Sequence, residues 1–173
     1  MHIHNVHSRE IGAPAPVVGE LLDELGDDGG RIWPVDRWPT DPMTFDRHLA
    51  VGSRGTHGSI RYVVQSHVPG RSVVFRFAPG TSLDGIHRLD VHALGPGRCR
   101  LRHTLDVRVL GAVRLVRPVL LGYHDAMVED LLARADHVAT GAPLAYPRLP
   151  RWLSALRALE LARWHRAHRV PAG

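Results

Sequence analysis

The sequence predicts a single α+β domain in which a run of antiparallel strands is followed by a long helix. Three observations predict this fold class. The chain has 173 residues, the size of one ordinary domain, and 44% of them are hydrophobic, enough for a buried core. Short segments with alternating apolar residues fill its middle. Beyond Gly111 the spacing of apolar residues becomes that of a helix.

The first third of the chain predicts a strand, a helix and an irregular segment. Residues 2–11 alternate weakly and contain no helix breaker, so we expect a strand. An amphipathic helix is expected over 15–25, with Pro16 in its first turn. Glycines at 26–30 end it, and a loop containing Trp33 and Trp38 follows.

The middle of the chain predicts a meander of short strands separated by turns. Pro69-Gly70 is a typical turn between two of them. In the last strand the odd positions from Cys99 to Val109 are apolar apart from His103, as in a sheet with one solvated face. The predicted strands are 48–51, 59–66, 72–77, 86–94 and 98–109.

Two helical patterns follow. Pro118 suits the first turn of a helix that runs to about Ala139. A proline-containing linker separates it from a second pattern over 151–170. We divide the chain into a domain of residues 1–142 and a basic tail of residues 143–173. The stripe of the first helix consists of Leu120, His124, Met127, Leu131, Ala135 and Val138.

Charge is unevenly distributed. Residues 1–142 hold 16 arginines and 16 acidic residues, whereas 143–173 hold 6 arginines and one acid, Glu160. The net charge of +5 therefore arises in the tail, and we expect no nucleic-acid binding by the domain. The start of the chain lacks a signal-peptide pattern and no segment is apolar enough to span a membrane, so we expect a cytoplasmic protein.

The order of these elements resembles the helix-grip fold of the SRPBCC superfamily, which includes START-domain lipid-transfer proteins, birch-pollen-allergen-like proteins and polyketide cyclase/dehydrase proteins. The resemblance covers about residues 2–141. It implies a curved antiparallel sheet wrapped around a long C-terminal helix, with an internal cavity that admits an apolar ligand. The segments that carry it are Ile11-Gly12-Ala13-Pro14, Trp33-Pro34, Trp38-Pro39, residues 56–62, Pro69-Gly70-Arg71, Phe75-Arg76-Phe77, residues 85–88 and residues 122–125.

Strand alternation then indicates which polar residues face the cavity. His87 and His103 share the apolar face of their strands, and His124 lies in the apolar stripe of the long helix. With Tyr62 they are candidate catalytic residues that could polarise a carbonyl and move protons; alternatively, they hydrogen-bond a ligand or are satisfied core residues. The residues predicted to bind the ligand are Trp33, Trp38, Tyr62, His87, Leu89, His103, Leu105, His124, Met127 and Leu131.

Three functions remain open. The leading one is the binding of a hydrophobic small molecule, a lipid or a polyketide-like compound. The second is a polyketide aromatase/cyclase or dehydratase, and the third is a protein-interaction module acting through the tail. The tail could also pack on its own domain, form a homodimer or contact a membrane surface. No metal-ligand spacing, Gly-x-Ser-x-Gly elbow or phosphate-binding glycine motif occurs, so we expect neither metal nor cofactor.

Overall fold

The computed structural model describes residues 1–27, 30–111, 115 and 117–167. In this part of the chain, seven strands form one antiparallel sheet in the order β1-β7-β6-β5-β4-β3-β2, accompanied by three helices. The elements are β1 (His2–Ile11), α1 (Ala15–Asp23), β2 (Thr44–Phe45), β3 (Arg54–His57), β4 (Ile60–Val68), β5 (Ser72–Phe77), β6 (Leu83–Gly95), β7 (Arg98–Val109), α2 (Arg117–Thr140) and α3 (Arg151–Ala167).

The sheet curves around α2, which confirms the helix-grip α+β fold. β1 pairs along its whole length with β7, from His2 opposite Arg108 to Ile11 opposite Cys99. The first strand thus pairs with the last one, and α2 follows β7 to lie across the inner face of the sheet. The odd residues of β7 from Cys99 to Val109 are all buried and face inwards, as the alternation predicted.

α1 packs directly on the turn between β4 and β5. A Cβ atom on Gly19 would lie 2.3 Å from the carbonyl oxygen of Gly70, so the close approach requires glycine at position 19. Gly70 has a φ of 69°, which glycine adopts without strain. The Asp23 carboxylate accepts a 2.7 Å hydrogen bond from the Gly70 N–H and fixes this turn against the end of α1.

The interior is divided into two apolar clusters. The larger one contains Leu89 and Leu101 and packs against α1 and the second half of α2. The smaller one contains Phe77, Leu105 and Val107 near the other end of the sheet. Between the two clusters, β6 and β7 each place one histidine on the inner face.

One predicted strand is wrong, because residues 48–51 form a turn. The Ser53 hydroxyl donates to the His48 carbonyl at 2.8 Å and accepts from the Ala50 N–H at 3.2 Å. These side-chain bonds replace the ladder that a strand would need. The short strands β2 and β3 were not predicted, since Phe45 is the one large apolar residue in their sequences. α1 ends at Asp23, two residues before the predicted end.

α3 packs against the domain. Leu153 is fully buried in the larger cluster, whereas Trp152 and Leu159 are 44% and 47% exposed. Leu156 is partly buried beside Leu153. Whether residues 1–142 fold alone remains a prediction. The part of the pattern at 168–170 lies outside the described residues.

Among the described residues, none of the helices combines the length and the apolar character needed to cross a membrane.

Replacing Leu153 by alanine should lower the free energy of unfolding by about 2–5 kcal/mol, because it leaves a cavity in the core. The matched control is Leu159→Ala on the same helix, where the side chain is 47% exposed and a change within about 0.5 kcal/mol is expected. Urea unfolding of the full chain measures both. Equal effects of the two substitutions would show that α3 does not contribute to the core through Leu153.

Candidate functional site

A cavity of about 990 Å³ lies between the inner face of the sheet and α2. Such a volume is at the upper end of the range for small-molecule sites, about 300–1,000 Å³. Ile3, Phe77 and Val107 form part of its apolar wall. Eight of the residues predicted to bind a ligand line it, namely Trp33, His87, Leu89, His103, Leu105, His124, Met127 and Leu131.

α3 contributes to the cavity wall through residues that sequence analysis did not select. Leu156, Glu160 and Arg163 line the cavity together with the start of α2. Arg163 is exposed, as is Arg61 of β4, which also lines the cavity. These exposed lining residues mark the opening of the cavity and place charged groups there.

Five histidines form a row along the inner side of the sheet, here called the histidine row: His7, His124, His103, His87 and His57. The ring centroids of His7 and His124 are 6.3 Å apart, and those of His124 and His103 are 5.1 Å apart. His87 continues the row, 5.8 Å from His103 and 6.5 Å from His57. The row therefore runs from β1, past α2, across β7 and β6, to β3.

Strand register explains how the row assembles. His7 on β1 lies directly opposite His103 on β7. On the other side of β7, His103 lies opposite Leu89 while His87 lies opposite Leu105, so the two histidines are diagonal neighbours. α2 crosses the inner face above them and adds His124 to the cavity wall.

The middle of the row is neutral and lacks hydrogen-bond partners. His87 Nε2 and His103 Nδ1 are buried without a partner among the described residues. Burial lowers the pKa of both imidazoles well below the ordinary value of 6.5, and neighbouring histidines lower it further. An unsatisfied buried polar atom costs about 1–3 kcal/mol. Both histidines also line the cavity, which makes their rings candidates for hydrogen bonds to a molecule inside it.

The His7 end of the row is acidic. His7 Nδ1 is 2.7 Å from Glu129 Oε1, and His7 Nε2 is 3.2 Å from Asp125 Oδ1. The hydrogen bond with Asp125 raises the pKa of His7 against the effect of burial. Burial raises the pKa of the Asp125 carboxyl, but hydrogen bonds from His124 and His7 outweigh it and hold that pKa well below its ordinary value.

The His57 end of the row is held by the loop that carries the tryptophans. His57 Nδ1 lies 3.3 Å from Oδ1 of Asp41, a carboxylate that is only 6% exposed. Trp33 donates its indole N–H to the Asp41 carbonyl at 2.9 Å and lies 5.4 Å from the His57 ring. His57 and Asp41 both line the cavity. These two residues were not predicted, because they lie in a hairpin end and a loop, where the alternation of apolar and polar residues gives no signal.

Tyr62, a predicted site residue, lies behind the cavity wall and does not line it. Its ring is 5.1 Å from that of His87 and 5.2 Å from that of Phe75. Its hydroxyl is buried and has no hydrogen-bond partner among the described residues. Burial raises the pKa of this phenol well above its ordinary value, so it stays protonated. Its role in ligand binding or catalysis remains a prediction.

Trp38, also predicted to bind the ligand, is buried away from the cavity lining. Its indole N–H donates to Asp130 Oδ2 at 2.8 Å, and Arg37 Nε lies 2.9 Å from the same oxygen. The Arg157 guanidinium lies 4.1 Å from the centre of the indole ring. These contacts join the tryptophan loop to α2 and α3, which is a structural role.

Comparison with known proteins identifies the fold. No protein-family model matches the chain, and no curated protein sequence matches it. Norcoclaurine synthase from Thalictrum flavum, in complex with dopamine and hydroxybenzaldehyde, has a similar structure with a TM-score of 0.61 and 12% identity, covering 83% of this chain and 89% of that one. At this identity the likeness shows the fold alone.

Two bacterial structures have the same fold. CalU16 from Micromonospora echinospora gives a TM-score of 0.57 at 15% identity, covering 96% of this chain and 89% of that one. The Aha1 dimer from Colwellia psychrerythraea gives 0.56 at 15% identity, covering 82% and 99%. These likenesses confirm the helix-grip fold.

Lowering the pH below about 6.5 should destabilise the protein, because the unfolded chain protonates a histidine at position 87 that the folded chain keeps neutral. One such proton contributes about 1.4 kcal/mol per pH unit. The imidazole is surrounded by His57, His103, His124 and Tyr62. The pKa of His103 is also lowered by burial, so His103 adds to the loss of stability at low pH.

The measurement is urea unfolding at pH 7.5, 6.0 and 5.0 for wild type, His87→Phe and His92→Phe. His92 is exposed on the outer face of the same strand and serves as the matched control. We expect His87→Phe to flatten the fall in stability and His92→Phe to leave it unchanged. Identical slopes for wild type and His87→Phe would contradict the buried neutral imidazole.

Proposed function

We propose that this protein binds an apolar small molecule that carries a hydroxyl or carbonyl oxygen, of the lipid or polyketide-like class. The observation that carries this proposal is the pair of buried, partnerless imidazole nitrogens, His87 Nε2 and His103 Nδ1, on two residues that line a mainly apolar cavity. Apolar surface on both sides of the pair stabilises the hydrocarbon part of a ligand. The two imidazoles favour a ligand that carries an oxygen atom between its hydrocarbon parts.

The chemistry of the wall favours neutral ligands. Because burial keeps His87 and His103 uncharged, a fully ionised group beside them would be desolvated without a counter-ion. Neutral imidazole offers one donor and one acceptor nitrogen, so it can pair with a phenol, an alcohol or a ketone. Charged groups suit the opening instead, where Arg61, Glu160 and Arg163 lie.

The similarity to a ligand-bound structure is consistent with this ligand class. The norcoclaurine synthase structure holds dopamine and hydroxybenzaldehyde, which are small aromatic molecules with oxygen substituents. At 12% identity it shows a shared fold and identifies neither the ligand of this chain nor its position.

The test compares two ligands that differ by one oxygen atom, 2-naphthol and naphthalene. We expect wild type to bind 2-naphthol about tenfold more tightly, since a hydrogen bond to an otherwise unpaired buried group is worth roughly 1–3 kcal/mol. In the double variant His87→Phe/His103→Phe the two ligands should bind equally. Fluorescence titration of both ligands gives the dissociation constants.

The matched control is His92→Phe, which removes an exposed histidine from the same strand. It should retain the preference for 2-naphthol. The proposal would be contradicted if wild type did not distinguish the ligands, or if the preference survived in the double variant. Thermal unfolding of each variant checks that the domain is folded.

A second candidate function is cyclisation or dehydration of a polyketide-like substrate. It is favoured by the close spacing of His103 and His124, 5.1 Å between ring centroids, in the cavity wall. A neutral imidazole can take up a proton from the substrate and, as the imidazolium that results, return it to the oxygen that leaves as water. Both residues were predicted from the sequence as catalytic candidates, and their catalytic role remains a proposal.

2,4,6-Heptanetrione provides a defined substrate for the second candidate. Its intramolecular aldol reaction joins the terminal methyl carbon to the far ketone and, with loss of one water, gives orcinol. A cyclase should form orcinol faster than buffer does, and His103→Phe should lower kcat without an equal change in KM. Equal rates with protein and with buffer would contradict catalysis of this reaction class while leaving ligand binding to its own test.

A further inference from the structure

A cluster of metal-ligand atoms lies between β1 and α2, outside the neutral middle of the histidine row. His7, His124 and Asp125 each offer one ligand atom, and these three atoms lie within 4.8 Å of one another. His124 and Asp125 are adjacent on α2, and His7 reaches them from the facing strand. We call these three residues the β1–α2 triad. No sequence motif links them, because 116 positions separate the strand residue from the helix pair.

The distances within the triad match those between ligands on one metal ion. His7 Nε2 and His124 Nδ1 are each 3.2 Å from Asp125 Oδ1. Charge-assisted N–H···O bonds are shorter, about 2.7–2.9 Å. Two ligands of a tetrahedral ion with bonds of about 2.0–2.1 Å are separated by about 3.3 Å. Both distances to Asp125 Oδ1 are therefore close to the spacing that a coordinated ion requires.

A carboxylate orients His7 towards the triad. Glu129 Oε1 lies 2.7 Å from His7 Nδ1, so the Nδ1–H donates to Glu129 and Nε2 faces Asp125. Metal-binding histidines almost always donate their second ring N–H to such an acceptor, which fixes the tautomer. Without a proton or a cation between them, the lone pairs of His7 Nε2 and Asp125 Oδ1 would face each other.

A fourth ligand is available from β1. The Asn5 amide nitrogen is 3.2 Å from Asp125 Oδ1, and its buried Oδ1 has no hydrogen-bond partner among the described residues. Rotation of the amide by half a turn would exchange the two atoms and present the oxygen to the triad. Asn5 and His7 lie on the same, inward face of β1.

The charge of this region also favours a cation. Within the described chain, the ion pairs of Asp125 and Glu129 are made with His7 and His124 and with no arginine. The two carboxylates are thus paired only with histidines, which carry a positive charge only when they are protonated. The side chains of His7 and His124 are 16% and 25% exposed, so solvent screens the carboxylates incompletely.

We propose that His7, His124 and Asp125 bind a divalent transition-metal ion of the Zn²⁺ type. Two imidazoles and one carboxylate suit such ions, whereas Mg²⁺ and Ca²⁺ prefer oxygen ligands. Because His124 also lines the cavity, the ion lies in the cavity wall next to the neutral histidines. The proposal is independent of the ligand proposed above, since it rests on His7, His124 and Asp125 and not on His87 and His103.

The test is a Zn²⁺ titration of the untagged full chain at pH 7.5 after treatment with EDTA and dialysis. We expect one equivalent to bind with a dissociation constant in the micromolar range or below. Asp125→Asn should weaken this binding at least 100-fold, and Zn²⁺ should raise the melting temperature of wild type but not of the variant. Glu129→Gln, which alters only the orienting partner, should weaken binding about 10–100-fold.

The chain provides a matched control. Asp106 lies 2.6 Å from His2 Nε2 and 3.3 Å from His4 Nδ1, a second group of two histidines and one aspartate that is exposed. Asp106→Asn should leave tight Zn²⁺ binding unchanged. If Zn²⁺ did not bind, or if binding were lost in Asp106→Asn and retained in Asp125→Asn, the proposal would be wrong.

Co²⁺ gives a second readout in case Asp125→Asn is poorly folded. Co²⁺ bound by two imidazoles and a carboxylate absorbs visible light, and wild type should show these bands at one equivalent. His124→Gln keeps a polar side chain of similar length and should abolish the bands while retaining the wild-type circular dichroism spectrum. Bands that persist in folded His124→Gln would contradict the proposed ligands.

Discussion

The burial of neutral imidazoles between two apolar clusters is the constraint on which the site depends. His87 and His103 lie on the inner faces of adjacent strands, where the fold would otherwise continue its hydrophobic core. Their partnerless nitrogens reduce stability, and the surrounding apolar side chains offset this loss. A position that disfavours folding in this way is suited to a ligand that supplies the missing hydrogen bonds.

The fold encloses these histidines from three sides and so forms a site around them. The sheet provides the histidines, α2 lies across them, and α3 adds wall residues near the opening. Leu153 fixes α3 in the same core as α1 and the sheet, so the basic C-terminal segment is part of the cavity architecture. Arg163 of this segment thereby lies in the cavity lining.

Sequence patterns predicted the elements that are long and periodic, and they failed where geometry joins distant residues. Alternation in β7 identified His103 as inward-facing, and the helical stripe identified His124. His7 was missed because its inward neighbours Asn5 and Arg9 are also polar, which obscures the inner face of β1. The sequence pattern did not indicate which face of α3 is buried, and docking buries Leu153 while leaving the larger Trp152 partly exposed.

The most direct test is nuclear magnetic resonance of the histidine ring nitrogens at pH 6.0, with and without 2-naphthol. Chemical shifts of these nitrogens report protonation and hydrogen bonding at each ring. We expect His87 and His103 to be neutral and to shift when 2-naphthol is added, while exposed His92 does not shift with the ligand. If His87 and His103 were protonated at this pH, or unchanged by the ligand, the account of the cavity would be wrong.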